Sequence, residues 1–128
     1  MFYPMLNTKV SAVAEKVYRE LGAGLPDKVY KESLIHELEE ADISYEKDPF
    51  IPIDYKGRVL ESGIHACFII ENRIVLYVKN SSKSGGYHTN QLYSYMRLSG
   101  IRCGMILDFN SSEFAKVVRV FMVPEKRD

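Results

Sequence analysis

The chain has 128 residues, with 17 basic and 17 acidic side chains, 46% apolar residues and 27% charged ones. That length suits about one domain with a core of its own. The even charge argues against nucleic-acid binding driven by bulk positive charge, because such binding rests on neutralising phosphates. No stretch approaches the roughly 18 apolar residues of a membrane span. Met1 to Lys9 lacks the basic lead and apolar run of a signal peptide. The expectation is one cytoplasmic domain over residues 1–128, with flexible ends at 1–8 and 124–128. Cys67 and Cys103 are the only cysteines, each within an apolar run, and read as reduced buried thiols.

Asn7 or Thr8 is placed to cap a first helix, in which Val10, Val13, Ala14, Val17, Tyr18 and Leu21 recur at helical spacing. Gly22-Ala23-Gly24 ends it. A second helix starts near Pro26 and runs through Val29, Tyr30, Leu34 and Leu38 to about Ala41. Asp27 lies in its first turn, where the helix dipole favours negative charge. Glu32, Glu37, Glu39 and Glu40 read as a solvated helix face.

Strands follow. Ile43 to Glu46 is a short edge candidate. Ile51 to Tyr55, a Lys56-Gly57 turn and Arg58-Val59-Leu60 come next. Ile64 to Ile70 is one apolar run, and Glu71-Asn72 joins it to Arg73–Lys79 as a hairpin. Asn80 to Gly86 is a polar loop. A third helix is expected from about Tyr87 to Ser99, stopped by Gly100. Met105 to Phe109 and Val117 to Val123 are the last two strands. In outline the order is α-α-β-β-β-α-β-β, a mixed sheet flanked by helices. The final strand reads as a sheet edge, and edges invite pairing, so a homodimer is an open expectation.

This order resembles the restriction-endonuclease-like core of the PD-(D/E)XK nuclease superfamily, and more narrowly a family named for a GxxExxY motif. The motif stands here as Gly24-Leu25-Pro26-Asp27-Lys28-Val29-Tyr30, with aspartate in place of glutamate. The resemblance extends through Ile53-Asp54-Tyr55-Lys56-Gly57, Lys79, Gln91–Gly100 and Gly104–Asn110. It implies a site in which an aspartate on the first hairpin strand and a glutamate on the second hold Mg²⁺, with a lysine two residues beyond. Such an ion activates water and offsets charge on the phosphate.

In this chain the matching positions are Cys67, Tyr77 and Lys79. A thiol is a soft, poor magnesium ligand, and a phenol with a pKa near ~10 is almost uncharged at pH 7. The resemblance therefore implies a degenerate catalytic site at Cys67, Tyr77, Lys79 and Gln91, with no cofactor and with Lys79 short of anionic neighbours. Asp27, Tyr30, Lys79, His88 and Gln91 are the candidate binding residues. Asp27 and Glu32 are the candidates for a displaced magnesium site, the one reading in which an active endonuclease with Mg²⁺ survives. A Cys67–His65 nucleophile is disfavoured because Phe68, Ile69 and Ile70 mark the thiol as buried, and a soft-metal site of Cys67, His65 and His36 or His88 lacks ligand spacing. Lys79, Lys83, Arg97 and Arg102 surround the polar loop and are candidates for contacts to a nucleic-acid backbone. The function expected is a nuclease-fold module that binds nucleic acid or protein. A pure protein-interaction domain is the further alternative.

Overall fold

The computed structural model describes residues 3–79 and 86–122. Two helices lead, α1 (Pro4–Leu21) and α2 (Asp27–Glu40). Five strands follow, β1 (Tyr45–Lys47), β2 (Phe50–Tyr55), β3 (Arg58–His65), β4 (Phe68–Ile70) and β5 (Ile74–Val78). Then come α3 (Tyr87–Ser99), β6 (Cys103–Leu107), a single 3₁₀ turn (Phe114–Lys116) and β7 (Val118–Met122). Among the described residues five strands thus precede α3, matching the five extended segments of the sequence more closely than the three-strand outline. The main sheet has the order β1-β4-β5-β6-β7, and β2 and β3 form a separate two-stranded sheet. Among the described residues only the β5–β6 pair is parallel, as the crossover through α3 requires.

The periodicity of β5 explains the layers. Ile74, Leu76 and Val78 face α1 and α2, joined by Cys103, Met105 and Leu107 of β6. Val75, Tyr77 and Ile106 face the other way, against Leu92 and Met96 of α3 and Ile51 of β2. A strand covered on both faces has no solvent side to keep polar, so β5 and β6 are buried throughout. Gly104 lets α3 come close: a Cβ there would lie 2.7 Å from Met96 Sδ and 2.9 Å from a Leu92 methyl.

Several expectations need correction. The first helix begins at Pro4, where a proline loses no helical hydrogen bond, so residues 4–8 are helical and not a flexible end. Leu6 extends the stripe of Val10, Val13 and Val17. Asn7 is no cap but a buried interior residue, its Nδ2 donating to Tyr3 O at 2.9 Å and lying 3.7 Å from Cys103 Sγ. The apolar run Ile64–Ile70 is two strands. Its first part pairs with β2 and its second with β1 and β5, and Ala66-Cys67 is the break between the sheets. The strand expected at Met105–Phe109 is shifted to Cys103–Leu107. The loop at 80–85 and the tail at 124–128 lie outside the described residues. No helix among the described residues is long and apolar enough to cross a membrane.

Candidate functional site

The site is built where the α1–α2 connection, the β3–β4 break and the ends of β5 and β6 come together around the start of α3. Tyr30 organises the first of these. It is 1% exposed, and its ring stacks on Phe109 at 4.4 Å between centroids. Its hydroxyl donates to Gly22 O at 2.6 Å and accepts from Leu25 N at 3.1 Å. One buried phenol thus closes the turn that leads into α2. Tyr30 acts on a ligand only through that turn, since its own side chain is covered. Asp27 follows, half-buried, in the first turn of α2. Glu32 points to solvent.

Cys67 sits in the break between β3 and β4. Asp48 N donates to its carbonyl at 2.9 Å, and His65 Nδ1 lies 3.0 Å from Asp48 O, so His65 is engaged with backbone and not with the thiol. Burial pushes the Cys67 thiol up from its ordinary value. A backbone hydrogen bond from Val78 and the charge of Lys31 pull it down less strongly, and Asp48 and Asp27 add to the rise. The sulfur is therefore a neutral thiol at pH 7.

Tyr77 lies on the α3 side of β5 and is 5% exposed. Its hydroxyl is 3.0 Å from Nδ1 of His88, which is itself buried in the first turn of α3. Burial raises the Tyr77 pKa strongly, with smaller contributions from Cys67, Tyr95, Tyr87 and Asp27. The two groups share one hydrogen bond, whose direction is set by which His88 ring nitrogen carries the proton. The Tyr95 ring lies 5.9 Å from that of Tyr77, and its pKa is also raised by burial. Gln91 is half-buried, one turn along α3.

Lys79 ends β5. Its Nζ donates to Asp108 Oδ2 at 3.3 Å. The expectation that this lysine lacks an anionic neighbour is thus corrected. The parallel pairing of Val78 with Leu107 brings the next two residues side by side, and Lys79 N donates to Leu107 O at 2.8 Å. Asp108 Oδ1 also accepts from Asn110 N at 3.1 Å, which holds the carboxylate in a turn. Arg97 is exposed on α3, and Lys83 lies outside the described residues.

The structure therefore brings Cys67, Tyr77, Lys79, Asp27 and His88 to one end of the sheet, with Gln91 half-buried on α3 one turn beyond His88. It leaves Glu32 and His36 outside. Sequence reasoning missed four contributors: Asp48, Lys31, Tyr95 and Asp108. Asp108 had a findable signal, because a parallel β5–β6 pair in this register predicts its contact with Lys79. Asp48 and Lys31 had none, since their approach to Cys67 depends on how the strand break and α2 pack.

A mixed sheet between two helical layers, with a lysine ending the central strand beside the start of a crossover helix, defines a restriction-endonuclease-like α/β core. The sequence agrees: the family model of the PD-(D/E)XK nuclease superfamily matches residues 5–120. The chain belongs to that superfamily. Comparison with the curated proteins and with the solved structures found no significant match.

The superfamily implies a divalent metal. The donor set here does not suit one. Magnesium needs several hard oxygens at about 2.0–2.1 Å in octahedral array. The central groups are instead a neutral thiol, a neutral phenol bonded to an imidazole, and a lysine bonded to a carboxylate. No three His, Cys, Asp or Glu side chains among the described residues converge as a metal site.

Proposed function

We propose that this chain is a catalytically degenerate member of the superfamily, of the GxxExxY type, that works by binding a nucleic acid or a protein. The observation that supports the reading is the buried Tyr77–His88 hydrogen bond at 3.0 Å. A phenol hydrogen-bonded to an imidazole occupies the strand position where the resemblance places an anionic ligand, and at neutral pH that phenol brings no negative charge to a cation. The surrounding scaffold supports the reading: Tyr30 holds the α2 turn, Lys79 ends β5 and Gln91 lies half-buried in the first half of α3. We place the protein in the cytoplasm, consistent with its two free thiols.

The test is a cleavage assay on plasmid DNA and on RNA across a Mg²⁺ and Mn²⁺ series, with calorimetric titration of each metal. No cleavage and no metal-binding heat are expected. Metal-dependent scission abolished by Asp27→Asn would sink the proposal and favour an endonuclease with displaced carboxylates. The double substitution Cys67→Asp with Tyr77→Glu is expected to introduce a metal-binding heat that the parent chain lacks. Binding of DNA or RNA that weakens with salt separates a nucleic-acid partner from a protein one.

A further inference from the structure

We propose that the chain forms a two-fold dimer by antiparallel pairing of β7 with β7 of a second copy, centred on Val120. Among the described residues β7 has one neighbour, β6, and its outer edge pairs with no strand. The hydrogen-bonding parity of that edge follows from the inner one. Asp108 N donates to Val117 O at 2.8 Å, in register with the β6–β7 ladder. In an antiparallel pair such bonded residues recur at every second position. Arg119 and Phe121 therefore turn their N–H and C=O groups toward β6. Val118, Val120 and Met122 turn theirs outward.

A two-fold axis at Val120 sets Val118 opposite Met122 of the second copy and Val120 opposite itself. These are the outward-facing residues, so each donates once and accepts once across the axis. A one-residue slip would break this parity. The side chains suit the same register. On one face Val–Met and Val–Val pairs meet, and Val120 and Met122 are 43% and 39% exposed in the single chain. On the other face Arg119 lies opposite the second copy's Phe121. Within one chain the Arg119 guanidinium already lies 5.0 Å from the Phe121 ring, so the second copy adds another ring to each cation. Tyr93, 37% exposed, packs edge-on against Phe121 at the same rim. No like charges oppose each other within the strand pair, which removes the usual penalty against self-pairing. A two-fold contact of this kind closes on itself and does not propagate.

The opposite edge offers no such surface. There β1 has three residues, of which Glu46 and Lys47 are exposed. Short, charged edges of this kind resist pairing.

Sedimentation velocity over a concentration series is expected to show a monomer–dimer equilibrium. Val120→Pro removes the central outward N–H and leaves the inner ladder intact. Val120→Lys sets two ammonium groups face to face on the axis. Either is expected to weaken the dimer at least about tenfold, the proline by removing both symmetry-related bonds and the lysine by like-charge repulsion on the axis. Far-UV circular dichroism checks that each variant folds. Hydrogen exchange on the unsubstituted chain gives an independent reading, in which the amides of Val118, Val120 and Met122 gain protection as concentration rises. A chain that stays monomeric throughout overturns the proposal. So does a dimer that survives both folded variants, or concentration-independent exchange at those three amides.

Discussion

Each side of the central sheet contains a buried tyrosine, and the two do different things. On the α1–α2 side, Tyr30 is part of a packed wall, with its hydroxyl given to two backbone groups of the turn before α2. On the α3 side, Tyr77 is bonded to another side chain, His88, and lies among Cys67 and Tyr95. The first arrangement fixes backbone and has no titratable partner. The second joins two buried side chains on different elements, β5 and α3. Backbone satisfaction fixes a turn, and side-chain satisfaction ties a helix to the sheet. The two tyrosines thus differ in what they satisfy: backbone on the α1–α2 side of the sheet, a side chain on the α3 side.

The sharpest way to break this contrast is Tyr30→Phe. It leaves Gly22 O and Leu25 N without their partner, and should cost about 2 kcal/mol in urea unfolding. A change near zero would mean that the turn is held by packing alone.

Tyr77→Phe should cost less, about 1 kcal/mol, because a single bond to one side chain is lost. Its larger signature is in pH dependence. The Cys67 and Cys103 thiols are raised above their ordinary 9.0, and Tyr77 above its ordinary 10.0, with burial the main cause for each. The folded chain therefore holds protons that the unfolded chain has released at alkaline pH. Their stabilisation is fully present below pH 9 and is lost as pH rises further. Thermal melts between neutral and alkaline pH should show this fall. Tyr77→Phe should flatten the part above pH 10 and leave the thiol part in place. An unchanged profile would show that Tyr77 does not carry the alkaline limb.

The smallest effect is expected at the rim of the site. Lys79 and Asp108 are only partly covered, so Asp108→Asn should change stability by about 0.5 kcal/mol. Its consequence is electrostatic: it frees the lysine charge at the end of β5. Retention on a phosphate-bearing resin should increase and should fall again with added salt. Equal retention of the two proteins would mean that Lys79 does not reach the surface ligand.

Much of this was legible in the chain itself. The stripe Val10, Val13, Ala14 and Val17 specifies α1, and the unbroken run Ile74–Val78 specifies a strand buried on both faces, because burial needs apolar groups at the spacing each backbone geometry repeats. Gly100, with φ 77, ends α3 where a left-handed residue is required. The resemblance pointed to Cys67, Tyr77 and Lys79, which the strand register places near one another at the end of β5.

What the sequence left undetermined was decided by contacts between distant segments. Asp108 belongs to Lys79 because two strands lie parallel in one register, a fact set by how α3 crosses the sheet. Tyr77 is hydrogen-bonded to His88, and Ile64–Ile70 divides between two sheets at Cys67. Local pattern fixes which residues are helical, extended or buried, since those preferences act over one or two turns. Protonation, ion pairing and the break in a strand depend on low-dielectric surroundings built by residues far along the chain, and only the packed structure supplies them.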